Sequence, residues 1–250
     1  NGYTRNDIFD MRYLGSKARI KKEIIPIITE HLTGDNEFVD AFMGGANIID
    51  TVDYPKKVGI EYSRYVCAIW QTIKAIGIKW IPQSFDEEEY YEVKSAYKNS
   101  TNKYSAAMIG YVGNCLSYGS KWWGGFARFN PKKREDHVQE AYNGIKKQYE
   151  GFKHFNTTTF VNCSYDDYEY KPNSVIYCDP PYQSTVGYET SFDHQKFWDW
   201  CRKMSKDHYV YVSEYSAPSD FKCIWRKAVK EQVGKNINQK VEKLFTYCGD

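Results

Sequence analysis

Apolar and polar positions along this chain follow two different periods. Residues 18–32 (ARIKKEIIPIITEHL) carry apolar side chains at helical spacing, interrupted at Pro26. The turn formers Gly34, Asp35 and Asn36 follow, and then the mostly apolar run 38–42, which predicts a short buried strand. Met43-Gly44-Gly45 breaks that run and predicts a turn into a helix near residues 47–52. Residues 57–60 predict a second strand ending at Glu61, and residues 64–76 its following helix. Strand, turn, helix and strand in this order predict parallel α/β winding.

The pattern changes after about residue 80. Residues 82–156 are helical in character, rich in Tyr, and broken by the cluster YGSKWWGGFARFN. Strand-type sequence returns at 157–161, 174–178 and 209–213, and 241–247 predicts a closing strand. The sheet is therefore expected to be divided by an insertion over 81–156, with 1–80 and 157–250 forming one core.

A chain of 250 residues is long enough for such a core with a sizeable insertion. Its 23 Tyr and 7 Trp supply flat faces with polar tips, which suit stacking on bases as well as packing a core rim. The net charge of +2 does not itself select a nucleic-acid partner. Its distribution says more: residues 121–153 hold eight basic against four acidic residues, and residues 202–243 ten against five. The seven cysteines never form a Cys-x-x-Cys pair and the five histidines are scattered, so neither a disulfide framework nor a metal site is expected. No run is apolar enough to span a bilayer, and the first residues lack a signal-peptide core. A soluble, cytoplasmic protein is expected.

The strongest chemical signal is Asp179-Pro180-Pro181-Tyr182, placed at the end of the strand 174–178. Ligand sites in open α/β sheets gather at such strand ends. An aromatic amine is a poor nucleophile because its lone pair is delocalised into the ring. A carboxylate and a carbonyl that both accept hydrogen bonds from it favour a tetrahedral nitrogen. Asp179 supplies the carboxylate, the Pro180 carbonyl the second acceptor, and the paired prolines hold both in place. Tyr182 offers a face for a flipped base. Gly44 and Gly45 make a tight turn that lets a ligand approach the backbone, and Glu61 at the second strand's tip suits ribose hydroxyls. The full spacing of a dinucleotide fingerprint is absent. Cys178 precedes Asp179 but has no part in amine chemistry. In the insertion, Lys121 and Arg128 are candidates for phosphate or guanine contacts. Trp122 is a candidate wedge, with the expectation that one of Trp122 and Trp123 faces inward and the other outward.

These motifs, RYLGSK, FVDAFMGGANI, GIEYSRYV, NCSYDDY, YCDPPY, GYETSFDHQKFWDW, YVSEYS and VEKLFTY, stand in an order that resembles the Dam-type DNA adenine methyltransferase family over nearly the whole chain. The resemblance implies a Rossmann-like methyltransferase sheet with helices on both faces, and an inserted, mainly helical target-recognition lobe at 81–156. It implies S-adenosylmethionine as donor, no metal, and double-stranded DNA as partner. The reaction it implies is transfer to the N6 amine of a flipped-out adenine, in settings such as restriction-modification. By position, Tyr13 and Lys17 border donor and base, while Asp40, Phe42 and Gly44 line the methionine end. Glu61 faces the ribose, and Ser164 and Tyr165 lie near the donor's adenine. Tyr188, in a loop 183–191 expected to close over the target, is assigned to DNA. Two positions depart from the family: Ala46 stands where a glycine is common, and Ser164 where an aspartate is common. Both bear on donor affinity rather than reaction type. RNA adenine, the N4 amine of DNA cytosine, or a non-catalytic DNA-binding role are the alternatives, and a monomer or weak dimer is expected.

Overall fold

A computed structural model describes residues 10–11, 13, 15, 17, 19–128, 136–181, 192–233 and 236–249. Seven strands form one sheet: β1 (Phe38–Asp40), β2 (Lys57–Ile60), β3 (Thr159–Val161), β4 (Val175–Cys178), β5 (Tyr209–Glu214), β6 (Phe221–Val233) and β7 (Asn236–Tyr247). Their order is β3-β2-β1-β4-β5-β7-β6. The first five are parallel, and β7 runs antiparallel to both β5 and β6. Every residue of β1, β2 and β4 is buried, which explains why these strands read as runs rather than alternations: both faces of the sheet are covered.

The cover comes from helices on both faces, as expected. On one face lie α1 (Lys21–Ile28) and α2 (Arg64–Ile76), the latter burying Val66, Ile69, Trp70 and Ile73. Ser63 caps α2, and Gly77 at φ +75° ends it. On the other face α6 (His194–Met204) sets Phe197, Trp198 and Cys201 against Ile176, Cys178 and Val212.

Residues 81–156 are helical among the described residues. They contain α3 (Glu87–Lys98), α4 (Ala106–Gly110), a π turn over Tyr111–Cys115 and α5 (His137–Gly151). They share one apolar cluster with the sheet: Tyr90, Val93, Ile109 and Ile145 pack in the same core as Trp70 and Phe38. Contact between α4 and α2 is so close that a Cβ on Gly110 would lie 2.1 Å from the Tyr65 carbonyl oxygen.

Three expectations change. No helix forms near residues 47–52; residues 44–51 are a succession of turns. Ala46 there takes the left-handed conformation (φ +60°), which breaks a helical repeat at its start. Strand β6 was not expected, because its apolar residues neither alternate strictly nor form one run, and from Arg226 onward basic and polar residues break them up. Strand β7 begins at Asn236 rather than near 241, since it pairs with β6 along a ribbon that continues beyond the sheet.

Chain order places the site. From β1 the chain winds outward through β2 to β3, then returns to β4 on the other side of β1. The crossovers diverge at the carboxyl ends of β1 and β4, which opens a crevice there. Asp40 pairs in register with Tyr177 and Gly59, and Ile60 with Val161. Asp40, Glu61 and Asp179 therefore all emerge at one edge.

A candidate active site at the carboxyl edge of the sheet

Asp179 is the first residue beyond β4, and Lys17 reaches it from the N-terminal segment, with Nζ 2.8 Å from Oδ1. The Lys17 side chain is 6% exposed and that of Asp179 18%. Lys17 also donates to the Gly15 carbonyl at 3.2 Å. Asp40, at the tip of the neighbouring β1, is buried, and its Oδ1 has no hydrogen-bond partner among the described residues. Burial, and then the charge of Asp179, push the Asp40 carboxyl up to about 8, against the backbone N–H groups of Phe42 and Ile49. The ammonium of Lys17 thus lies against Asp179, which is itself close enough to Asp40 to act on its carboxyl. Pro180 is buried and Pro181 half-buried. Tyr182, Tyr188 and the loop 183–191 lie outside the described residues.

Glu61 organises the turn after β1. Its Oε2 accepts from the Gly44 N–H (2.9 Å) and its Oε1 from the Ser63 N–H (2.7 Å). Burial nonetheless pushes its carboxyl up to about 7. Gly44 has φ +49°, and a Cβ there would lie 2.6 Å from Cε1 of Tyr13. The glycine is required twice over: by its backbone conformation, and because the Tyr13 ring lies against the turn.

Tyr13 and Lys17 are held by residues that the sequence reading did not single out. Gln148 of α5, buried, accepts from the Met11 N–H (2.8 Å) and donates to the Gly45 carbonyl (3.0 Å) and Asp50 Oδ2 (3.1 Å). Lys21 bridges Asp50 (3.2 Å) and Asp10 (2.8 Å). This clasp ties the N-terminal segment to the glycine turn. Its one readable signal was a glutamine in the apolar stripe Val138, Ala141, Ile145, Gln148 of a helix.

Phe42 and Tyr165 stack at 5.1 Å within a cluster that includes Phe192 and Phe197. Ser164 is hydrogen-bonded to Asp166, whose other oxygen pairs with Lys196 at 2.6 Å. A carboxylate therefore stands two residues from the position where the family often has one. Cys178 is fully buried beside Cys201, and burial holds its thiol well above the ordinary range.

The insertion residues lie elsewhere. Lys121 is exposed. Arg128, 74% exposed, makes a two-pronged bond to Glu87 (2.8 and 2.6 Å). Trp122 stacks on Tyr65 at 5.7 Å and covers Gly113, while Trp123 is buried between Tyr90 and Tyr97. Both indoles pack inward, rather than one each way, because α2 and α3 present tyrosines to both.

The edge therefore offers a buried carboxyl with a vacant acceptor oxygen (Asp40), a strand-tip carboxyl with lone pairs left over (Glu61), and a carboxylate just beyond the end of β4 (Asp179). That set suits a cationic amine, a pair of hydroxyls and a polarised N–H group respectively.

The chain has relatives among known proteins. The chain is 24% identical over 221 residues to the type II methyltransferase M.FokI of Planomicrobium okeanokoites, covering 81% of this chain and 32% of that one. It is 23% identical over 197 residues to the Retron Ec67 DNA adenine methylase of Escherichia coli, covering 72% of this chain and 66% of that one. The chain thus spans a third to just under two thirds of these relatives. Among solved structures, the rRNA methyltransferase aviRa from Streptomyces viridochromogenes overlaps 92% of this chain and 84% of its own at 10% identity. Its TM-score of 0.38 is too low to add to the topology above. Among the described residues, no helix is long and apolar enough to cross a membrane. The family model of the D12 class N6 adenine-specific DNA methyltransferases matches residues 13–242, from the tyrosine on the glycine turn to the last sheet strand, and the chain belongs to that family.

Proposed function

We propose that this protein transfers the methyl group of S-adenosylmethionine to the N6 amine of an adenine turned out of duplex DNA. The observation that carries the proposal is Asp179, ion-paired with Lys17 at the carboxyl end of β4, beside the buried Asp40. The donor, when bound, supplies an electrophilic methyl group on a sulfonium. The residues present fit it. The vacant Oδ1 of Asp40 suits the methionine amine, and the open lone pairs of Glu61 suit the ribose hydroxyls. Phe42 and Gly44 lie between them, and Tyr165 lies at the adenine end with Ser164.

The protein's own part is to make the amine nucleophilic. Asp179 and the Pro180 carbonyl accept its two hydrogen bonds and draw the lone pair out of conjugation. Pro181 stiffens that backbone, and Tyr182 stacks on the base. Lys17 holds the Asp179 carboxylate in place by its ion pair until the amine arrives. Residues 81–156 act as the target-recognition part, with Lys121 and Arg128 on the DNA, joined by Tyr188, while Trp122, packed on Tyr65, braces that part from within. In this reading Arg128 exchanges Glu87 for a phosphate or a guanine edge. No metal takes part, and the protein works on DNA in the cytoplasm.

The test is transfer of labelled methyl from S-adenosylmethionine to mixed-sequence duplex DNA, with nucleoside analysis and Asp179→Asn in parallel. Label in N6-methyladenine that is lost in the variant supports the reading. Label in cytosine moves the reaction to the N4 amine, and label only in RNA competitors moves it to another nucleic acid. Donor binding without any transfer overturns the enzyme reading.

A further inference from the structure

Strands β6 and β7 do not end with the sheet. The last residue of β5, Glu214, pairs with Lys243 of β7. Beyond it, β6 and β7 continue paired with each other alone, from Lys227↔Glu242 to Val233↔Asn236. At about 3.4 Å per residue this two-stranded ribbon is roughly 20 Å long. Because β7 is antiparallel to β5, the ribbon extends past the carboxyl end of β5, which is the edge that bears Asp179.

One face of the ribbon is accounted for. Lys227 pairs with Glu23 of α1, Val229 packs on the main core, and Lys240 lies 5.6 Å from the centre of the Tyr215 ring. The other face carries Arg226, Ala228, Val241 and Lys243, of which the first three are exposed and Lys243 half-buried. Arg226 and Lys243 stand directly opposite each other in the register. Like charges so placed destabilise a strand pair. None of the described carboxylates forms an ion pair with either; the adjacent Glu214 instead accepts from the Tyr215 N–H at 2.7 Å. By contrast, Arg128 and Arg202 each hold an acid in a two-pronged bond. Residues 226–243 contain six basic and two acidic residues in a chain of net charge only +2. Two cations set opposite each other, with no described carboxylate in an ion pair with either, are left to meet an anion from outside, and such local conflicts mark places where function is served.

We propose that this ribbon is a second nucleic-acid contact, separate from the 81–156 insertion, with Arg226 and Lys243 gripping the phosphate backbone of the duplex beside the target base. It rests on the DNA reading above. The occupant follows from charge: paired cations on a stiff arm beside the site fit the repeating anions of a duplex. The small side chains of Ala228 and Val241, the next pair along the same face, let a backbone lie close.

The test uses the full chain and a non-cognate 30-base-pair duplex, with affinity measured by fluorescence anisotropy across a salt series. Removing two phosphate contacts lowers the slope of log K against log salt by about two in R226A/K243A. Donor binding and kcat at saturating DNA stay at the parent value, and KM for DNA rises roughly tenfold or more. Lys206, exposed just before β5 at the opposite edge, is the control, and K206A keeps the parent slope. An unchanged slope in R226A/K243A overturns the proposal, as does an equal loss in K206A. An unchanged slope with a shift to a smaller species in sedimentation assigns the ribbon to self-association instead. If the parent chain binds duplex with a steep slope but methylates nothing, the catalytic reading fails while the ribbon is still tested by the slope.

Discussion

Lys17 and Asp179, 162 positions apart in the sequence, meet at 2.8 Å where β4 leaves the sheet. The pair sits beside Asp40, so removing the ammonium breaks the ion pair of a carboxylate that already neighbours a buried acid. A carboxylate stripped of its cation there holds a proton more readily. Methyl transfer by Lys17→Met is expected to fall at neutral pH and to recover as the pH is raised. A pH–rate profile checks this. If Lys17 only braced the fold, the loss would be the same at every pH.

Asp40 has its own pH signature. Its carboxyl titrates at about 8 in the folded chain, against an ordinary value of 3.8. Between those values the folded protein holds a proton that the unfolded chain has released, so stability is full below about 4 and declines as the pH rises toward 8. Glu61, pushed up to about 7, acts with the same sign over a narrower window. Asp40→Asn should therefore flatten, though not abolish, the fall in Tm between pH 5 and pH 8.5. Donor binding to the parent at pH 7 should release a proton, because a bound ammonium favours the charged form of Asp40. Calorimetry in two buffers of different ionisation enthalpy measures that release.

Much of the site was readable because its signals are local. The motif at Asp179, the glycine turn and the strand-tip Glu61 each lie within a few residues of a strand end, and apolar runs mark those ends. The helix α2 was readable to its bounds because its apolar stripe and its Ser63 cap agree. What could not be read depended on partners distant in sequence. The Asp50–Lys21–Gln148 clasp joins three segments, and nothing near Asp50 shows that its carboxylate is committed elsewhere. The turns at 44–51 follow from that commitment. Strand β6 was hidden for a related reason, since its outer part from Arg226 is held by its partner strand and carries few apolar residues.

Gly44 and Ala46 both have positive φ, yet their substitutions should behave oppositely. Gly44→Ala adds a Cβ in a left-handed residue and 2.6 Å from Tyr13, which must move. A loss of roughly 2–4 kcal/mol is expected from strain and overpacking together, with weakened donor binding. Ala46→Gly relieves strain of about 1–2 kcal/mol, but exposes a more flexible unfolded chain and removes a buried methyl. These effects nearly cancel, so its stability should lie within about 1 kcal/mol of the parent. Urea unfolding of both variants makes the comparison, and a large stabilisation in Ala46→Gly would show that the strain is greater than this.

Gln148 makes three hydrogen bonds from a buried amide, to Met11, Gly45 and Asp50. Truncating it leaves a backbone donor and a backbone acceptor buried and unsatisfied, at a cost of roughly 2–4 kcal/mol. The more specific consequence is release of the segment that carries Tyr13 and Lys17. Gln148→Ala should speed hydrogen exchange at the Met11 amide and raise the KM for donor more than it lowers kcat. Uniformly faster exchange across the core, with the segment no worse than the rest, would reduce Gln148 to a packing residue.

Cys178 is the remaining test of the proposed chemistry, because a thiol next to Asp179 invites a covalent mechanism. Attack on a pyrimidine ring requires a thiolate that reaches the substrate. The Cys178 side chain is 0% exposed and lies on the α6 face of the sheet with Ile176 and Cys201, in a setting that holds the thiol neutral. Amine methylation needs no such nucleophile. Cys178→Ala should cost about 1 kcal/mol of stability from a small cavity and leave kcat within a few-fold of the parent. Loss of transfer in a folded variant that still binds donor and DNA would mean that the thiol reaches the base, and that the reaction is not direct transfer to an amine.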